Sequence, residues 1–81
     1  MNEVEVKQKL KDFICENLGV EPSVLNFDTP LFEGTSIGLD SIDSIEIISF
    51  IDDEFGLSMT GVAREHFRSI DTLAAYIIAN K

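Results

Sequence analysis

The sequence predicts an all-α fold: a small four-helix bundle with three longer helices, a short third helix and a long loop between helices one and two. Three observations carry this expectation. Apolar residues recur at about 100° per residue in three separate segments. Glycines, or an acid followed by a hydroxyl residue, stand at the ends of those segments. No run alternates convincingly with the period of a strand. With 81 residues the chain has room for one domain, residues 1–81, around a modest core.

The first helix is expected over residues 4–18. Val6, Leu10, Phe13 and Ile14 share one face, with Leu18 at its edge, and Gly19 follows where a left-handed C-cap belongs. Lys7, Lys9 and Lys11 form a local basic patch, best read as a solvated face balancing nearby acids. Residues 20–39 read as loop, because Pro22 and Pro30 break helices and Gly34 and Gly38 punctuate the chain. Residues 21–25 are expected to form one helical turn. So long a loop needs anchoring, and Val24, Leu25, Phe27, Leu31 and Phe32 would pack it over the core.

The second helix is expected over Ser41–Phe55. Asp40 reads as its N-cap, and Asp43 bonds back as in a capping box. Ser41 then occupies the first helical position, exposed at a helix mouth whose free N–H groups and positive dipole end favour a phosphate. Ile47, Ile48, Ile51 and Phe55 share an arc of about 100° and make the core face. Ile42 and Ile45 fall off that arc, beside Glu46, Ser49, Asp52 and Asp53. Isoleucines among acids on a solvent face invite a partner, although cover by the preceding loop is nearly as good a reading of Ile45. Phe50 also falls off the arc, facing either the third helix or an entrance for an apolar chain. Gly56 ends the helix. Residues 60–67 read as a short helical turn. The last helix opens at Ile70-Asp71-Thr72 with Asp71 as its cap; Leu73, Ala74, Ile77 and Ile78 face inward and Tyr76 outward.

Charge narrows the partners. The formal net charge is −9 and the isoelectric point about 4.2, against the clustered Lys and Arg that nucleic-acid binding needs. Six acids and no base lie between Asp40 and Phe55, so basic protein surfaces are the natural partners. Cys15 is the only cysteine, which excludes an intrachain disulfide; it is placed on the polar side of the first helix, with no catalytic surroundings. No charged leader with an apolar run and no membrane-length apolar run is found, so the expected setting is the cytoplasm.

Several chemistries fail on spacing. Ser41 is not a nucleophile elbow, because Leu39 and Asp43 stand where glycines are required. His66 is the only histidine, which leaves a serine triad without an evident base. Asp40, Asp43 and Glu46 are spaced by three, as on a helix face, whereas a calcium loop alternates its ligands by two. Residues 34–38 lack the Gly-Lys-Ser/Thr of a phosphate loop. Neither a catalytic residue nor a metal ligand is assigned.

Asp40-Ser41-Ile42 resembles the Asp-Ser-Leu signature of acyl carrier proteins, with Ile for Leu. The resemblance continues through Leu18-Gly19-Val20, Asp28-Thr29-Pro30-Leu31-Phe32, Ile45-Glu46-Ile47-Ile48, Asp52-Asp53-Glu54-Phe55-Gly56 and Ile70-Asp71-Thr72-Leu73, covering nearly the whole chain. It implies a bundle of acyl-carrier type. It also implies a 4′-phosphopantetheine arm, taken from coenzyme A, on Ser41, and acyl intermediates held on that arm as thioesters. The protein itself would not be an enzyme. Its implied partners are a phosphopantetheinyl transferase and the acyl-transferring, condensing and reducing enzymes of fatty-acid or polyketide-type biosynthesis. They would dock on Asp40, Ile42, Ile45, Glu46, Asp52 and Asp53 of a monomeric carrier. An aminoacyl or peptidyl carrier, or an unmodified acidic interaction module, are the alternatives. Two departures stand out. Arg64, His66 and Arg68 make the third helical segment basic where many family members have an acidic one, and the segment 33–38 looks longer than in common fatty-acid carriers.

Overall fold

The computed structural model describes residues 2–32 and 37–80, the side chain of Arg64 excepted. Most of the insertion-like segment, residues 33–36, therefore lies outside the described residues. The described chain is helical, with three α-helices: α1 (Glu3–Asn17), α2 (Ser41–Phe55) and α3 (Ile70–Asn80). Two 3₁₀ turns, Pro22–Val24 and Arg64–Phe67, lie in the connections.

α1 starts one residue before its expected boundary and ends one earlier. Asn2 caps it, its side-chain oxygen accepting from the Glu5 N–H at 2.9 Å, and Glu3 and Glu5 sit at the positive end of the dipole. Val6, Leu10 and Ile14 are fully buried. Phe13 and Leu18 are only half-buried, at the edges of the core stripe. Gly19 follows with φ 73°, the left-handed conformation that lets the chain leave the helix without a Cβ penalty. Cys15 is not on the polar side. It is half-buried against the core, and desolvation raises its thiol pKa above 9.0.

The long loop is tied down by backbone bonds as well as apolar contacts. The Leu31 N–H donates to the Arg68 carbonyl, the Asp71 N–H to the Phe27 carbonyl, and the Leu39 N–H to the Leu31 carbonyl, each at 2.9 Å. Leu25 and Leu31 are fully buried, and Phe27 and Phe32 pack at the core's edge. Val24 was expected inside but is exposed, because the Pro22–Val24 turn buries none of its residues and hands that task to Leu25.

Along α2, Ile47, Ile51 and Phe55 are buried and Ile48 is half-buried. Gly56 closes the helix in the left-handed conformation at φ 68°. Phe50 faces α1 rather than the third helical segment. Its ring stacks on Phe13 of α1 with centroids 4.3 Å apart and meets Phe55 edge-on at 6.0 Å. The segment expected to be a short third helix is regular only over Arg64–Phe67, as a 3₁₀ turn that follows Gly61 at φ 81° and the extended Ala63.

The cap of α3 is Ser69, not Asp71. Ser69 Oγ accepts from the Thr72 N–H at 3.3 Å, and Thr72 Oγ1 accepts from the Ser69 N–H at 3.0 Å. Asp71, inside the first turn, instead takes an ion pair from Lys7 at 2.9 Å. Lys7 also pairs with Glu3 at 2.6 Å and lies 5.8 Å from the Phe27 ring centroid, so it staples α1 to α3 rather than standing in solvent. Lys9 bridges to Glu54 of α2 at 2.9 Å. Leu73, Ala74 and Ile77 are buried, but Ile78 is exposed, one position past the inward stripe. Tyr76 is half-buried against the His66 ring, with centroids 4.9 Å apart.

Candidate functional site

The site is built from the turn into α2. Gly38 has φ 68°, and Leu39 turns inward and is buried. Asp40 then caps the helix as expected. Its Oδ1 accepts from the N–H groups of Ile42 at 3.0 Å and Asp43 at 3.1 Å, and Asp43 Oδ2 accepts in return from the Asp40 N–H at 3.0 Å. This capping box takes over the structural work at the helix start. Ser41, at the first helical position, is exposed. Its hydroxyl has no hydrogen-bond partner among the described residues, and its carbonyl accepts from Ser44 Oγ at 2.7 Å. The two nearby serines are thus chemically different: the Ser44 hydroxyl is engaged and half-buried, whereas that of Ser41 is exposed and without a partner among the described residues.

Ser41 also borders a cavity of about 440 Å³ between α2 and the chain that leads through the second 3₁₀ turn. Its walls include Phe32, Ile48, Met59, Val62 and Phe67, and its rim carries Asp40, Ser44 and Arg68. An apolar hollow next to an exposed hydroxyl suits a covalently tethered ligand with an apolar portion.

The outer face of α2 carries the other expected residues. Ile42 is 68% exposed and Ile45 63% exposed. Glu46, Asp52 and Asp53 are exposed as well. Asp40 is exposed, but its carboxylate is committed to the cap. Helical spacing puts Ile42, Glu46 and Asp53 on one stripe and Ile45 and Asp52 beside it. A rise of about 1.5 Å per residue places Asp52 and Asp53 roughly 17 Å from Ser41 along the axis.

The basic segment divides. Arg68 joins the Ser41 cavity, while His66 turns toward Tyr76. Sequence reasoning marked Arg68 as basic but missed its place in the lining of the Ser41 cavity, because residues 57–63 carry no periodicity from which the return of the chain could be read. Among the described residues no three His, Cys, Asp or Glu side chains come together as a metal site. No described helix is long and apolar enough to cross a membrane.

Comparison with known proteins agrees with this geometry. A family model described as a phosphopantetheine attachment site matches residues 8–77. The chain is 28% identical to an acyl carrier protein of Campylobacter hominis over 74 residues, which cover 91% of each chain. It is 28% identical to an acyl carrier protein of Cyanidioschyzon merolae over 81 residues, covering the whole of this chain and 87% of the other. An acyl carrier protein of a phytoplasma is 27% identical over 73 residues, 90% of this chain and 93% of that protein. The prosthetic group of such a site is covalently bound 4′-phosphopantetheine. The match spans most of the sequence, from α1 to the last turns of α3, and the chain therefore belongs to the phosphopantetheine attachment family of acyl carrier proteins.

Proposed function

We propose that this protein carries acyl groups on a 4′-phosphopantetheine arm attached to Ser41 and delivers them to fatty-acid or polyketide-type biosynthetic enzymes. The observation that carries the reading is the exposed Ser41 hydroxyl at the start of α2, without a partner among the described residues, relieved of capping by Asp40 and bordering an apolar cavity. The residues fit the group. The helix N-terminus favours the phosphate, and the hollow beside it accepts apolar carbon. When bound, the group supplies a flexible arm ending in a thiol on which the cargo is held as a thioester.

Ser41 Oγ acts as the nucleophile in loading. One P–O bond forms to Ser41 Oγ and the pyrophosphate bond of coenzyme A breaks. The nucleotide leaves and the hydroxyl proton passes to a base of the transferase, which also supplies the divalent metal. The protein takes no catalytic part in the reactions of its cargo. Ile42, Ile45, Glu46, Asp52 and Asp53 form the docking face, where exposed apolar contacts are set among charges that attract basic partner surfaces. Asp40 belongs to this face by position and chiefly shapes the helix start.

Residues 1–81 form a single monomeric carrier domain in this reading, supported by one core that draws on all three α-helices. The Arg64–Phe67 turn takes the place of the short third helix in a four-helix carrier bundle, and the setting is the cytoplasm, with the enzymes served. The cavity shelters part of the acyl chain. Burial is worth ~0.8 kcal/mol per methylene, so an eight-carbon chain gains roughly 6 kcal/mol at most, against which a docked enzyme must compete.

The test is intact mass after incubation with a broad-specificity phosphopantetheinyl transferase and coenzyme A, followed by charging with a fatty-acyl ligase and, separately, an amino-acid ligase. Gain of one arm and then of a fatty-acyl group is expected. Failure to gain the arm, or charging by the amino-acid ligase alone, would contradict the reading.

A further inference from the structure

We infer that the Arg68 guanidinium is the counter-charge for the phosphodiester on Ser41, so that attaching the arm ties the start of α2 to the junction ahead of α3. The inference rests on the assignment of the arm to Ser41. Arg68 and Ser41 border the same cavity, and Arg68 is its only basic lining residue among those described. Arg68 is exposed, and its side chain has no carboxylate partner among the described residues. Lys7 and Lys9, in contrast, are committed to acids elsewhere.

The backbone that carries Arg68 is anchored on its C-terminal side. Its carbonyl accepts from the Leu31 N–H at 2.9 Å, and the next residue, Ser69, caps α3. The guanidinium therefore springs from an anchored point at the cavity rim, and less side-chain freedom is lost in forming a contact. The other side of the rim is acidic. Asp40 and Asp43 already stand at the start of α2, and their carboxylates accept from backbone N–H groups. A phosphodiester placed there adds a third negative charge. The helix dipole compensates part of it, and a planar guanidinium with several donors suits phosphate oxygens better than an ammonium does.

An exposed pair of this kind changes the unfolding equilibrium constant by on the order of two- to five-fold. The experiment compares apo and holo forms of the wild type, Arg68→Gln and Arg68→Lys by urea denaturation, and records the ³¹P resonance of each holo protein across a salt titration. Among the described residues Arg68 serves the fold through its backbone carbonyl, which accepts from the Leu31 N–H, so Arg68→Gln should remain folded. The holo form of the wild type should be stabilised relative to Arg68→Gln by two- to five-fold more than the apo form is. Its ³¹P resonance should differ from that of Arg68→Gln at low salt and converge with it at high salt. Arg68→Lys should fall between. Equal losses in apo and holo, with an unchanged ³¹P resonance, would mean that Arg68 acts only within the fold and would overturn the inference. Intact mass and peptide mapping of the wild type separate the two levels: an arm on Ser41 with equal losses refutes Arg68 alone, whereas an arm that is absent or elsewhere refutes the assignment to Ser41 and the inference with it.

Discussion

Replacing Ile45 and Ile47 by alanine, one at a time, sets two identical deletions on one helix against each other. Ile45 is 63% exposed and Ile47 fully buried. Full burial of such a side chain is worth ~1.5–3 kcal/mol, and Ile45 keeps roughly a third of that, about 0.5–1 kcal/mol. Alanine's better helix propensity returns roughly 0.4 kcal/mol. The net cost of Ile45→Ala should therefore be about 0.5 kcal/mol or less. Ile47→Ala removes a fully enclosed side chain and leaves a cavity, for ~2–5 kcal/mol. The two variants should differ by at least ~1.5 kcal/mol, about tenfold in the unfolding constant. Urea denaturation with matched slopes measures this, and a loading time course measures the other half of the argument. Ile45→Ala should slow transfer of the arm to Ser41 because it removes an apolar contact from the docking face. A stability loss in Ile45→Ala comparable to that of Ile47→Ala, or loading at the wild-type rate, would remove Ile45 from that face.

Three further outcomes follow from the fold and its charges. Hydrogen bonds from Lys7 to Glu3 and then Asp71 raise its pKa above 10.5, so its contribution to stability is complete below that pH and fades as the pH climbs through the raised value. The stability gap between wild type and Lys7→Met should accordingly narrow above pH 10.5, and a gap that widened there would refute the staple. Gly19→Ala should cost ~1–2 kcal/mol. An added Cβ would meet nothing within 4 Å, so the cost comes from the backbone at φ 73° alone and Gly19→Asn should lose less; equal losses in urea midpoints would contradict this. Glu46→Lys should slow loading by the transferase, and the effect should shrink at high salt because it acts through charge; a salt-independent defect would place Glu46 in a different role.

Much of this was legible from the sequence because it is local. The capping box at Asp40 and Asp43, the left-handed Gly19 and Gly56, and the core stripe of α2 each depend on residues within one or two turns. The exposure of Ile42 and Ile45 follows from the same periodicity. The misplacements involve contacts across the chain. Phe50 pairs with Phe13 of α1, and periodicity within α2 says nothing about its neighbour. Asp71 looked like a cap because acids favour helix starts, but Ser69 and Thr72 form a closer reciprocal pair, which frees Asp71 for Lys7. Arg68 reaches the Ser41 cavity through a return path with no periodic signature.

The central claim is that Ser41, and not its neighbour Ser44, bears the arm. Peptide fragmentation mass spectrometry of the loaded protein tests it most directly, with Ser41→Ala and Ser44→Ala treated in parallel. Asp40 holds the helix start, so Ser41→Ala should keep the fold, confirmed by circular dichroism, yet gain no mass. Ser44→Ala should still be loaded on Ser41. Fragment ions that place the arm on Ser44, or a mass gain in folded Ser41→Ala, would contradict the account.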